Sequence, residues 1–130
     1  MRESDLLQDK RILFVDDEQS LAMLGADILE EYGYQVLCAF DGEEALRLYE
    51  QDTESFDLVV TDESMPRLSG IELAQKIYQI SPGTPVILCS GHMLSMQDEG
   101  IAETNIVSIL AKTDACLKLP DLLEKIFADE

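Results

Sequence analysis

The chain of 130 residues is 46% apolar and carries 27 acidic against nine basic side chains, a formal net charge of −18. That length holds one domain with a real core and leaves no room for two, and the apolar share excludes a disordered acidic tail. The acidic balance excludes direct binding to nucleic acid or to an anionic membrane, since both need a basic surface, and it suits divalent cations or basic partners.

Residues 1–9 are polar apart from Leu6 and Leu7 and read as a flexible lead-in to a domain over 10–130. Lys10 and Arg11 introduce Ile12 to Val15, an apolar strand that stops at Asp16-Asp17-Glu18. Leu21, Leu24, Ile28, Leu29 and Tyr32 follow at helical spacing, and Gly33 ends that helix. Tyr34 to Ala39 is the second strand. Asp41 with Glu44 is a capping-box start, with Ala45, Leu46 and Tyr49 as the apolar stripe behind it. Phe56 and Leu58 to Val60 give the third strand, which runs into Asp62.

Ser69 with Glu72 opens the third helix, whose buried face is Ile71, Ala74, Ile77 and Ile80. The run Ser81-Pro82-Gly83-Thr84-Pro85 breaks it. Val86 to Cys89 is the fourth strand, ending at Ser90-Gly91-His92, and Ser95 to Ala102 is a short, poorly amphipathic fourth helix. Ile106 to Ala111 is the fifth strand and ends at Lys112. A loop over Thr113 to Lys118 precedes the last helix, where Pro120 suits the first helical position and Leu122, Leu123, Ile126 and Phe127 form the apolar face. Cys38, Cys89 and Cys116 are odd in number and lack C-x-x-C spacing, which argues against disulfides or zinc and for a reducing cytosol. With no membrane-length apolar run and no signal-peptide core, the expectation is a soluble, cytoplasmic protein.

Five β-α units in strict alternation imply an α/β fold, an open doubly wound parallel sheet with helices on both sides. With the first strand in the middle, the ends of the first and third strands meet at the switch point, where such sheets bind ligands. Asp16 and Asp17, Asp62, Ser90 and Lys112 then share one edge of the sheet. Taken singly, each has a plainer reading: an Asp pair before a helix caps it, a strand-end Asp is a loop carboxylate, a strand-end Lys is solvated, and Ser90-Gly91 is a turn. Their joint placement favours chemistry. Packed carboxylates protonate or take up a cation, and hard oxygen ligands with open positions suit Mg²⁺. A carboxylate beside Mg²⁺ and a lysine ammonium is poised to attack phosphorus, giving an acyl phosphate on Asp62, toward which the Ser90 hydroxyl can turn.

These residues make the chain resemble a response-regulator receiver domain of bacterial two-component signalling, from Lys10 to Phe127. The motifs that carry the resemblance are Val15-Asp16-Asp17-Glu18, the segment Asp57 to Gly70 with Asp62, Met65-Pro66 and Gly70, then Pro85 to Gly91, and Leu110-Ala111-Lys112. The resemblance implies a flavodoxin-like (βα)5 sheet of strand order 2-1-3-4-5. It implies that Asp62 accepts a phosphoryl group from a phosphohistidine on a sensor histidine kinase or a histidine phosphotransfer protein. It implies that Asp17, Asp62 and the backbone carbonyl of Ser64 hold Mg²⁺ with Asp16 acting through water, that Lys112 pairs with the phosphate, and that Ser90 is the switch hydroxyl. Such a domain is not a conventional enzyme, although it assists its own phosphorylation and dephosphorylation, and it is expected as a monomer or weak dimer.

The chain also departs from the family pattern. Thr113 stands where proline usually follows the lysine, which weakens the case for a cis bond there, and Lys118 is a rival to Lys112. Ile109 occupies the position of a switch aromatic, so phosphorylation is expected to couple weakly or differently to the surface around the fourth and fifth strand ends. His92 lies at the rim of the expected site and, with Ser64, is a candidate for tuning water access. Three other readings compete. A haloacid-dehalogenase-type phosphohydrolase needs a D-x-D spacing that Asp16-Asp17-Glu18 lacks. A flavodoxin-like electron carrier would set its flavin phosphate against carboxylates. A degenerate receiver would bind partners unphosphorylated. No basic helix suits DNA, so output is expected through protein contact.

Overall fold

The computed structural model describes residues 10–91, 94 and 100–128. Five strands form one parallel sheet: β1 (Arg11–Val15), β2 (Gln35–Ala39), β3 (Leu58–Asp62), β4 (Val86–Ser90) and β5 (Ile106–Ala111), in the order β2-β1-β3-β4-β5. The helices among the described residues are α1 (Gln19–Glu31), α2 (Gly42–Gln51), α3 (Gly70–Ile80) and α4 (Ala115–Ala128). This is the flavodoxin-like order expected from the resemblance.

Side-chain alternation along β1 explains why helices cover both faces. Leu13 and Val15 pack with Tyr49, Leu73 and Ile77 under α2 and α3, whereas Ile12 and Phe14 pack with Leu29, Leu119 and Leu123 under α1 and α4. Side chains as completely buried as Ile12, Leu13 and Leu29 each contribute ~1.5–3 kcal/mol. Gly25 lets α1 approach β1, because a Cβ there would lie 2.4 Å from the Phe14 ring.

Two helix starts form by side-chain capping. Ser69 Oγ accepts the Glu72 N–H and Glu72 returns the bond to the Ser69 N–H, a complete capping box on α3. At α2 the Asp41 carboxylate accepts the Glu44 N–H, but Glu44 reaches past the cap to the Phe40 N–H.

The last helix differs from the expectation. It begins at Ala115, and Pro120 lies inside it instead of opening it. The first turn is nucleated earlier, where the Leu117 and Lys118 N–H groups both donate to the Asp114 carbonyl, and Pro120 is buried against the core. A ring packed there offsets part of the cost of the missing N–H. Of the expected fourth helix, Ser95 to Glu99 lie outside the described residues, and Gly100 to Glu103 form turns with Ile101 buried. His92 and the lead-in over residues 1–9 also lie outside the described residues. No peptide bond among the described residues is cis.

Candidate functional site

Parallel register brings the strand ends together. Val15 pairs with Ala39 and Thr61 lies opposite Val15, so Asp16 leaves β1 beside Asp62 at the end of β3. Asp62 is in register with Cys89, and Ser90 with Ala111, which sets Ser90 and Lys112 on the same edge. Backbone bonds fix these ends: the Glu63 N–H donates to the Cys89 carbonyl at 2.9 Å and the Lys112 N–H to the Ser90 carbonyl at 2.8 Å. Gly70 closes the loop after β3. A Cβ on it would lie 2.4 Å from the Asp62 carbonyl oxygen, and its N–H donates to the Glu63 carbonyl.

On this edge the Lys112 ammonium donates to Asp62 Oδ2 at 2.9 Å and lies 3.6 Å from Asp16 Oδ1. Carboxylate oxygens of Asp16, Asp17 and Asp62 lie within 4.8 Å of one another. Asp16, Asp62 and Ser90 are buried and Asp17 is exposed. Ser64 stands in the exposed loop just beyond β3. Lys118, on α4, pairs with Asp114 just before that helix, and the lysine at the pocket is Lys112.

The electrostatics follow from this crowding. Burial raises the Asp16 pKa; the Glu18 N–H lowers it, the Asp62 charge raises it, Lys112 lowers it again and Asp17 adds to the rise. Burial works against the Lys112 ammonium, yet the bond to Asp62 and the charges of Asp16 and Asp62 outweigh it and hold its pKa above the ordinary lysine value. Burial, then Asp62 and Asp16, push the Cys89 thiol up to about 12. A partly buried site with excess negative charge and an ammonium fixed beside it can take up added positive charge and hold an anionic oxygen.

Three residues here escaped the sequence reading. Glu18 Oε1 lies 3.4 Å from the Lys112 ammonium. Glu63 folds back to accept the Ile71 N–H at 3.2 Å, tying the residue after Asp62 to the start of α3. Cys116 lines, with Cys89, Asp16, Asp62 and Lys112, a cavity of about 40 Å³. Only the adjacency of Glu18 to Asp16-Asp17 hinted at any of them.

The family model for the response regulator receiver domain matches residues 12–126. The chain belongs to that family. It is similar to the alkaline phosphatase synthesis transcriptional regulatory protein PhoP of Bacillus subtilis, 42% identical over 91 residues, covering 70% of this chain and 35% of that regulator. This receiver domain therefore spans about a third of the length of that curated relative. Among solved structures it resembles the receiver domain of the hybrid histidine kinase CckA, 33% identical with a TM-score of 0.74 over 88% of this chain and 96% of that one. It also resembles the Thermotoga maritima response regulator TrrA, solved in complex with Mg²⁺ and BeF, 31% identical with a TM-score of 0.78 over 89% and 97% of the two chains. No described helix is long and apolar enough to cross a membrane.

Proposed function

We propose that this receiver domain accepts a phosphoryl group on Asp62 from a phosphohistidine of a sensor histidine kinase or a histidine phosphotransfer protein. What carries the reading is the 2.9 Å contact between the Lys112 ammonium and Asp62, set beside the carboxylates of Asp16 and Asp17. An Asp62 oxygen attacks phosphorus, the P–N bond of the donor breaks, and the electron pair leaves on the imidazole, which takes a proton from solvent. The product is an acyl phosphate, which adds about −1.5 to −2 charges by analogy with other phosphorylated side chains. Lys112 moves with one of its donors onto a phosphoryl oxygen, and Ser90 offers its hydroxyl from the end of the neighbouring strand.

The acidic cluster fits a hard divalent cation: three carboxylates converge, Asp16 is buried with its pKa raised, and among the described residues a single ammonium, that of Lys112, offsets them. Asp17, Asp62 and the Ser64 carbonyl would hold Mg²⁺, with Asp16 acting through water. When bound, the ion supplies positive charge against the phosphoryl oxygens. The domain turns over its own phosphoryl group and not a pool of substrate. Output runs through protein contact from a monomer or weak dimer.

Incubation with Mg²⁺ and acetyl phosphate, followed by intact mass, tests the reading. One added phosphoryl group, labile to hydroxylamine and absent in Asp62→Asn, is expected. An unmodified wild-type chain would leave the degenerate receiver as the better account.

A further inference from the structure

Glu18 sits at the N-cap of α1 but makes no side-chain capping bond. Its backbone is held on both sides. The N–H donates to Asp16 Oδ1 at 2.9 Å, and the carbonyl accepts from the Leu21 and Ala22 N–H groups. From that fixed origin the side chain reaches across to the end of β5, where Oε1 lies 3.4 Å from the Lys112 ammonium. The ammonium thus has three carboxylate neighbours, Asp62, Glu18 and Asp16, at 2.9, 3.4 and 3.6 Å.

These three are not equivalent. The Asp62 and Asp16 side chains are 3% and 8% exposed, whereas Glu18 is 62% exposed. Glu18 is also absent from the group of three carboxylates that converge on one point. It therefore faces solvent at the mouth of the pocket and holds the lysine from outside. A phosphoryl donor approaching Asp62 meets an ammonium whose field is partly spent on Glu18, and meets one more fixed negative charge. Both effects scale with the charge of the donor.

We propose that Glu18 is a specificity-determining residue, which through Lys112 and its own charge selects against small, doubly charged phosphodonors. The inference rests on Asp62 being the phosphoacceptor.

The test compares wild type, Glu18→Gln and Glu18→Asp at fixed free Mg²⁺, with acetyl phosphate as the dianionic donor and phosphoramidate as the less charged one. Each reaction moves phosphorus from acetate oxygen or ammonia nitrogen to an Asp62 oxygen, with the electron pair leaving on acetate or ammonia. Phosphorylation is followed by intact mass across a salt series. With acetyl phosphate at low salt, Glu18→Gln is expected to raise the second-order rate constant about three- to tenfold. The gain with phosphoramidate is expected to be smaller, and both gains should fade as salt shortens the screening length. Glu18→Asp, which keeps the charge but is one methylene too short to reach Lys112, should fall between wild type and Glu18→Gln. A merely structural role at the start of α1 would not depend on donor charge or salt.

An unchanged or slower Glu18→Gln, or a gain equal for both donors at every salt concentration, overturns the proposal. If wild type accepts phosphoryl from neither donor while remaining folded, the Asp62 reading fails and takes this inference with it.

Discussion

Lys112 governs the charge balance of the pocket because, among the described residues, it is the cation that meets the converging carboxylates. Its ammonium offsets Asp62 and Asp16, and in the proposed function it is the group that meets a phosphoryl oxygen. Lys112→Ala is therefore expected to have two effects of opposite sign. Phosphorylation by acetyl phosphate should slow by roughly 10²–10³-fold, the size seen when a single charge-stabilising donor is removed. Affinity for Mg²⁺, measured by calorimetry, should rise, because a competing positive charge has gone. Parallel loss of both would mean that the lysine mainly holds the loops in place.

Asp16 gives a pH-dependent counterpart. Its folded pKa is raised above 3.8, chiefly by burial, so the folded chain holds this proton more readily than the unfolded chain does. That contribution to stability is complete below the ordinary carboxyl pKa and is lost as pH rises through the folded value, so at pH 7 the ionised group weighs against the fold. Asp16→Asn should raise the Tm of the cation-free protein at pH 7 by a few degrees, with the advantage shrinking as the pH approaches 4. Thermal melts in a chelator measure this; a pH-independent difference would point to packing and not to charge. Lys112 titrates in a different window: its raised pKa contributes stability that is lost as pH rises above 10.5 through the folded value, and Asp16 supplies part of that rise, so the Asp16→Asn gain at pH 7 is net of a weakened Lys112 contact.

At the scale of elements, the turn from β3 into α3 joins stability to chemistry. Ser69 caps the helix, Glu63 accepts the Ile71 N–H, and Gly70 touches the backbone of Asp62. Gly70→Ala would press a methyl against the Asp62 carbonyl and the Leu88 side chain, neither of which is free to give way. A loss above about 2 kcal/mol in urea denaturation is expected, with slower phosphorylation in the fraction that folds. Gly83→Ala is the control: its new methyl meets nothing within 4 Å, and the expected change is within about 0.5 kcal/mol. Equal effects at both glycines would show that the close approach at Gly70 is unimportant.

This same turn was largely readable beforehand, because capping chemistry and a strand ending in a carboxylate are local signals. Strand order and the meeting of Asp62 with Lys112 followed from alternation and handedness once five apolar runs were recognised. What was hidden was not local. The start of α4 depends on Asp114 accepting two N–H groups and on a buried face that tolerates Pro120, so a rule placing proline at the first position misled by five residues, from Ala115 to Pro120. The Glu18 contact spans 94 residues and needs a rotamer that no pattern encodes.

For the whole molecule the question is how far a change at Asp62 travels. The segment over residues 63–71 follows Asp62 directly in the chain and is tied together at its neighbour Glu63, through the Gly70 N–H on the Glu63 carbonyl and the Ile71 N–H on the Glu63 carboxylate. The other flank is built differently. β5 is an edge strand with a register irregularity opposite Val86 and Ile87, and Val107 is left exposed. Next to it, Ile109 is half-buried against the core cluster under α2 and α3. A branched aliphatic at that position has neither a ring to swing outward nor a hydroxyl to exchange partners, so it offers no second stable arrangement for a phosphoryl group to select. Amide hydrogen exchange with and without phosphorylation should therefore change most over residues 63–71 and markedly less over β5 and α4. A response in β5 as large as that beside Asp62 would show that the strand has a second packing which does not depend on an aromatic switch. The signal would then leave the pocket through the Ser90 carbonyl and Lys112 N–H bond that joins the ends of β4 and β5.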